Sequence, residues 1–214
     1  MQHAKTVVLV HGLWMHGLVM RVMQHRFARW GFAARAFSYR SVRCDLSENG
    51  ERLATFIEAL GCDEVHLVAH SLGGLVAYSA ASRLTTACGR IVLIGTPFAD
   101  SFSGRRLEQL PAGRRLLGRC MAQWLHEPRP QPRADLDIGV IAGTGGIGMG
   151  RLIAPGLPGP HDGVIAVEET RVPGMGDHIV LPCSHTAMLI APAVAQQARA
   201  YIESGRFERP GRLT

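Results

Sequence analysis

Residues 66–74 read HLVAHSLGG, an apolar run that meets His70 and Ser71 and then two glycines. A serine at such a junction has two readings. It can cap a helix that starts at Leu72, its oxygen taking a first-turn N–H. Or it can be the nucleophile of acyl transfer, set on a tight strand-to-helix turn that lifts its hydroxyl above the sheet edge. The second reading needs small residues two places before and two places after, because strand and helix backbones crowd there. The chain has Ala69-His70-Ser71-Leu72-Gly73, so alanine stands where the usual G-x-S-x-G pattern has glycine.

Acyl chemistry needs three further parts. A tetrahedral oxyanion needs N–H donors. The amide of Leu72, at the start of the helix, is one candidate. The amide of Leu13 is the other, because Gly12 after the first apolar run allows the backbone to turn close to a ligand. A serine also needs a base held by a carboxylate. Of ten histidines, His185 in LPCSHTAML follows the last strand candidate and precedes the last helix, and His161 is the second choice. His11, His16 and His70 read as structural. The carboxylate is Asp162, in HDGVIAVEET, with Asp100 as its competitor on the same sheet edge. Asp135, Asp137 and Asp177 precede their strands and fall at the opposite edge.

The elements that must position these groups follow from periodicity. Apolar runs at 5–10, 33–39, 65–69, 90–94, 138–142 and 178–181 read as strands. Stretches at 17–30, 50–60, 72–84, 107–125 and 186–204 read as helices. Continuously apolar strands alternating with helices imply α/β architecture: one domain over 1–214, with a mostly parallel sheet of about six strands and helices on both faces. Residues 98–137 are too few for a large cap. Their stripe of Leu107, Leu110, Leu116, Leu117, Met121, Trp124 and Leu125 reads first as core packing, and alternatively as a small mobile cap over an acyl pocket. Trp14, Met15, Leu18 and Met188 are candidate pocket walls.

Composition narrows the functional classes. Hydrophobic residues are 47% and charged residues 19% of the chain, which supports a packed core. The expectation is no leader peptide and no stable membrane insertion. Five scattered cysteines without a CxxC pair fit a reducing cytoplasm and no zinc ribbon. The histidines lack HExxH spacing, so no metal is expected. The net charge of +6 includes an Arg-rich stretch at 104–133, but aromatics are not interleaved with it, so nucleic acid is not an expected partner. The run at 143–148 matches G-x-G-x-x-G. Prolines follow it at once, and too little chain remains for a dinucleotide domain, so no cofactor is expected.

Five stretches together carry a resemblance: VVLVHGLWMHG, HLVAHSLGG, VLIGTP, HDGVIAVEET and CSHTAML. In their order, with Ser71 before Asp162 before His185, the chain resembles the α/β-hydrolase superfamily and, within it, small lipases and esterases. The resemblance implies that fold with little or no cap, amides of Leu13 and Leu72 as oxyanion donors, and Asp162 rather than Asp100 as the acid. It implies a serine hydrolase that cleaves short- to medium-chain carboxylic esters through an acyl-enzyme. Thioester hydrolysis or acyl transfer would use the same triad, and a non-catalytic ligand-binding protein of this fold is the remaining alternative.

Overall fold

The computed structural model describes residues 4–128, 133–146 and 155–209. Six strands form one parallel sheet: β1 (Thr6–Val10), β2 (Ala33–Phe37), β3 (Glu64–His70), β4 (Ala87–Ile94), β5 (Asp137–Gly143) and β6 (Asp177–Leu181). Their order across the sheet is β2-β1-β3-β4-β5-β6. The chain first steps from β1 to β2 and then returns to the other side of β1 to lay down β3. That reversal opens a crevice above the carboxyl ends of β1 and β3, the place where open α/β sheets take their ligands.

The strands are apolar throughout because both faces are covered. Val8 and Val10 point into one buried cluster, Val7 and Leu9 into the other. The first cluster lies under α2 (Leu46–Glu58), α3 (Leu72–Ala81) and α5 (Gly113–His126). The second lies under α1 (Arg21–Arg29) and the last helix, α6 (Pro192–Ser204).

Several element boundaries differ from the sequence reading, each for a local reason. Helix α2 begins at Leu46 rather than Gly50. Asp45 accepts the N–H of Glu48 while Glu48 reaches back to the Asp45 N–H, a reciprocal cap that starts the helix a turn early. The stretch 17–30 opens as a 3-10 turn, Gly17–Met20, capped by His16, before α1 begins. The stretch 186–204 divides into a short turn, Ala187–Leu189, and α6, which takes Pro192 as its first residue, where a missing N–H costs nothing.

The region after β4 is two helices and not one. Helix α4 (Phe102–Glu108) ends before Pro111, and α5 restarts at Gly113 after Ala112 turns left-handed. Trp124 and Leu125 join the main core, whereas Leu110 and Leu116 of the expected stripe face solvent. Together α4 and α5 make a short cover beside the crevice. Among the described residues no helix is long and apolar enough to cross a membrane.

The tightest packing lies where α3 leaves β3. A Cβ placed on Gly73 would lie 2.3 Å from the carbonyl oxygen of His11 and 2.7 Å from that of Val10. Nothing but hydrogen fits between the first turn of α3 and the end of β1. Gly73→Ala is therefore expected to destabilise the protein by about 1–3 kcal/mol, read as a lowered urea midpoint at unchanged slope.

Candidate active site

Ser71 sits between β3 and α3 with φ 54° and ψ −128°, a backbone conformation that an L-residue adopts only under constraint. Two main-chain bonds hold it there: its N–H donates to the Ile94 carbonyl (2.8 Å) and its carbonyl accepts the Gly74 N–H (2.9 Å). The side chain makes no capping bond to α3, so the cap reading of Ser71 fails. Ala69, the departure from the glycine pattern, is wholly buried and its methyl joins the apolar cluster beneath α3.

Ser71 opens onto a cavity of about 220 Å³. Its walls come from the loop after β1 (Gly12, Leu13, Trp14, Met15), from Ser71 and Leu72, from α4 and α5 (Leu107, Leu117, Met121), and from Val164, Ile165 and His185. The β1 loop runs tight against the serine. A Cβ on Gly12 would stand 3.1 Å from Ser71 Cβ and 3.1 Å from His70 Nδ1. Leu13 and Leu72 both line the cavity, and among the described residues neither backbone N–H meets an acceptor.

His185 reaches the same cavity from the loop after β6. Its Nδ1–H donates to Asp162 Oδ2 at 2.7 Å. Asp162 is 1% exposed, and its other oxygen accepts the N–H groups of Val164 (2.9 Å) and Ile165 (2.7 Å). The backbone closes the pair as well, with His185 N–H donating to the Asp162 carbonyl at 2.9 Å. The Asp-Gly turn thus aims its carboxylate inward through its own two following amides. With Nδ1 so engaged, Nε2 is the nitrogen left for chemistry in the cavity.

The competitors lie elsewhere. Asp100 pairs with Arg105 at 2.9 Å on the surface. His161 takes the Gly163 N–H, and His178 meets Thr170. Asp135, Asp137 and Asp177 pair with Arg133, Arg90 and Arg209, away from the cavity. His11 braces the β1 loop: Nδ1–H donates to the Gly12 carbonyl (2.8 Å) and Nε2 accepts the Tyr39 N–H (3.3 Å), with the two rings stacked.

Two of the pocket-wall expectations are corrected. Met188 is fully buried and packs below the Asp162–His185 pair, its Cε 2.8 Å from where a Cβ on Gly95 would stand, so it supports the floor rather than lining the cavity. Leu18 points to solvent, because the 3-10 turn rotates it away. Of the G-x-G-x-x-G run, Gly143–Gly146 packs along the loop after β6, with a Cβ on Gly145 only 2.6 Å from Ser184 N. The remaining glycine, Gly148, lies outside the described residues. Among the described residues no three His, Cys, Asp or Glu side chains are grouped to hold a metal ion.

Two residues beside the site were not assigned these tasks from sequence. Glu169 is buried, and its carboxylate accepts the N–H of Ala166 (2.8 Å) and that of Phe102, joining the loop of Asp162 to the start of α4. Burial holds its carboxyl above the ordinary range. His70, fully buried, donates from Nε2 to the His185 carbonyl at 2.9 Å and so fixes the main chain of that residue. Only the tertiary contact reveals either role; in sequence they are an acid in a short EET run and a histidine beside a serine.

The family profile described as the alpha/beta hydrolase family matches residues 7–209. The chain belongs to that family. No curated protein sequence matches the chain. Among solved structures, the mature lipase BlEst2 of Bacillus licheniformis superposes with a TM-score of 0.72 at 16% identity, over 95% of this chain and 94% of that one. A thermophilic esterase from Thermogutta terrifontis gives 0.67 at 15% identity, over 94% and 90%. Carboxylesterase CesB of Bacillus subtilis gives 0.56 at 15% identity, over 96% and 85%. At these identities the likeness is one of fold.

Burial beside His185 pushes His70 down to about 3, with desolvation the larger cause and repulsion from His185 the next. His11, His66 and His178 are lowered mainly by burial too. In the unfolded chain these imidazoles protonate near pH 6.5. Below that pH the unfolded state binds more protons than the folded one, so stability falls with acidification from about 6.5 toward 3. Thermal melts are expected to drop across that window, with His70 contributing at most about 1.4 kcal/mol per pH unit. A His70→Gln variant is expected to show a shallower decline.

Proposed function

We propose that the protein hydrolyses carboxylic esters of short to medium acyl chains by way of an acyl-enzyme. The observation that carries this reading is the convergence of the constrained Ser71 and the Asp162-tethered His185 on one apolar cavity. Ser71 Oγ attacks the ester carbonyl carbon while His185 Nε2 takes its proton. The carbonyl oxygen becomes an oxyanion held by the N–H groups of Leu13 and Leu72. Asp162 keeps the ring in the Nδ1–H tautomer and stabilises the cation that forms. His185 then gives its proton to the leaving alcohol oxygen as the C–O bond breaks. A water attacks the acyl-enzyme, again deprotonated by His185, and the acid departs as Ser71 regains its proton.

The cavity supports the choice of acyl group. At about 220 Å³ it is smaller than pockets for drug-sized ligands, roughly 300–1,000 Å³. Among the described residues of its wall His185 is the only titratable side chain, so a charged acyl chain would lose its hydration without gaining a fixed opposite charge. Trp14 and Met15 belong to this wall. The alcohol is a small molecule. A cytoplasmic setting fits the five free cysteines.

The test is a panel of acyl lengths on ester and thioester leaving groups, with Ser71→Ala as blank, together with labelling by a fluorophosphonate. Wild-type protein is expected to turn over neutral esters and to carry one adduct on Ser71. Ser71→Ala is expected to fold, to lose turnover by roughly 10⁴-fold or more and to take no label. Asp162→Asn is expected to keep the nucleophile and lose roughly 10²–10⁴ in kcat. Turnover that survives in Ser71→Ala would overturn the mechanism, and a preference for thioesters would move the same machinery to thioester hydrolysis.

A further inference from the structure

Trp14 joins three things that no other described residue brings together. It follows Leu13 directly on the loop after β1 and lines the cavity. Its φ is +59°, a left-handed conformation that bulky L-residues rarely adopt. Its side chain leaves the loop altogether and donates from the indole Nε1–H to the carbonyl of Leu116 in α5, at 2.7 Å. Its own backbone N–H donates to Ser41 Oγ at 3.3 Å.

The acceptor on α5 lies beside a break in that helix: Gly118 stands at φ 73° and ψ 168° inside it, which interrupts the regular helical ladder there. The break is imposed by close packing: a Cβ on Gly118 would lie 2.6 Å from Val42 Cα, and the Arg119 N–H donates to the Val42 carbonyl at 3.0 Å. Val42 neighbours Ser41, so the two anchors of Trp14 are themselves joined through the kink. Leu117, between the accepting carbonyl and the kink, is a wall of the cavity.

We infer that Trp14 is a positioning residue through which the α4–α5 cover sets the oxyanion loop. The inference rests on the ester-hydrolase reading. The indole bond to Leu116 and the Ser41 bond hold the strained turn in place, and that turn carries the Leu13 amide. A covered cavity and a formed oxyanion site are then one state of the molecule, and not two independent ones. Among the described residues Trp14 makes no hydrogen bond to Ser71 or His185; its bonds go to Ser41 and Leu116, and it acts through the loop.

The role separates from that of a plain cavity wall by what it changes. A wall residue alters KM for acyl chains long enough to reach it. A residue that sets an oxyanion donor lowers kcat for every ester, an acetate included, because the donor acts on the transition state. Trp14→Phe keeps an aromatic wall, although a smaller one, and deletes the N–H together with the second ring; the acetate, too short to depend on the lost wall area, reads the loss of the hydrogen bond. On a p-nitrophenyl acetate substrate it is expected to lower kcat about three- to tenfold, the range for one lost hydrogen bond, with KM changed less than twofold. The rate of Ser71 labelling by a fluorophosphonate, whose P–O oxygen enters the same donor site, is expected to fall by a similar factor while final labelling stays complete. Ser41→Ala, which removes the second anchor, is expected to act in the same direction and carries the test alone if Trp14→Phe fails to fold. Unchanged kcat and labelling rate on the acetate, or an effect confined to KM of longer chains, would overturn the inference while leaving the ester reading intact. A wild-type protein that neither turns over esters nor takes the label would remove both.

Discussion

The arrangement depends on one close approach: the first turn of α3 presses against the end of β1 with only the hydrogen of Gly73 between them. That contact leaves Ser71 no room to follow an ordinary strand-to-helix path. It takes a left-handed backbone, held by the Ile94 carbonyl on the neighbouring strand. The cost of such a conformation, of order 1–3 kcal/mol, is met by the buried sheet around it. In return the serine hydroxyl stands clear of the helix it would otherwise cap.

The same crowding brings the parts of the site within reach of one another. Gly12 passes 3.1 Å from the serine side chain as judged from its missing Cβ, so the loop after β1 and the start of α3 border one cavity. His70, adjacent to the serine, crosses to the loop after β6 and holds the carbonyl of His185. Burial keeps its ring neutral, and among the described residues its Nδ1 has no hydrogen-bond partner.

The cover over the cavity is small, yet it is joined to the site at two separate points. Glu169 and Ser103 tie α4 to the loop of Asp162, through the amides of Phe102 and Ala166 and the carbonyl of Val164. Trp14 ties α5 to the loop after β1. The loop of Asp162, the loop after β1 and the cover are therefore joined by hydrogen bonds, and Leu107, Leu117 and Met121 line the cavity.

Much of this was written locally. Continuous apolar strands spaced by helical stretches were enough to place six parallel strands, because burial on both faces demands that pattern. Sheet edge set aside Asp135, Asp137 and Asp177 but left Asp100 beside Asp162 and His161 beside His185 as candidates, and only the family resemblance favoured Asp162 over Asp100. Local reading failed where the deciding partner is distant. The start of α2 needed the reciprocal cap of Asp45 and Glu48, the break in α5 needed Val42, and the burial of Met188 beneath the Asp162–His185 pair needed Gly95. The sequence by itself determined the kind of elements and the side chains with chemical capacity, since both follow from periodicity and residue type. The tertiary structure alone decided that Ser71 is strained rather than capping, that Trp14 reaches the cover, and that Glu169 and His70 brace the two loops. These outcomes rest on hydrogen bonds between segments from 23 residues apart (Ser71 and Ile94) to 115 apart (His70 and His185), which no local pattern encodes.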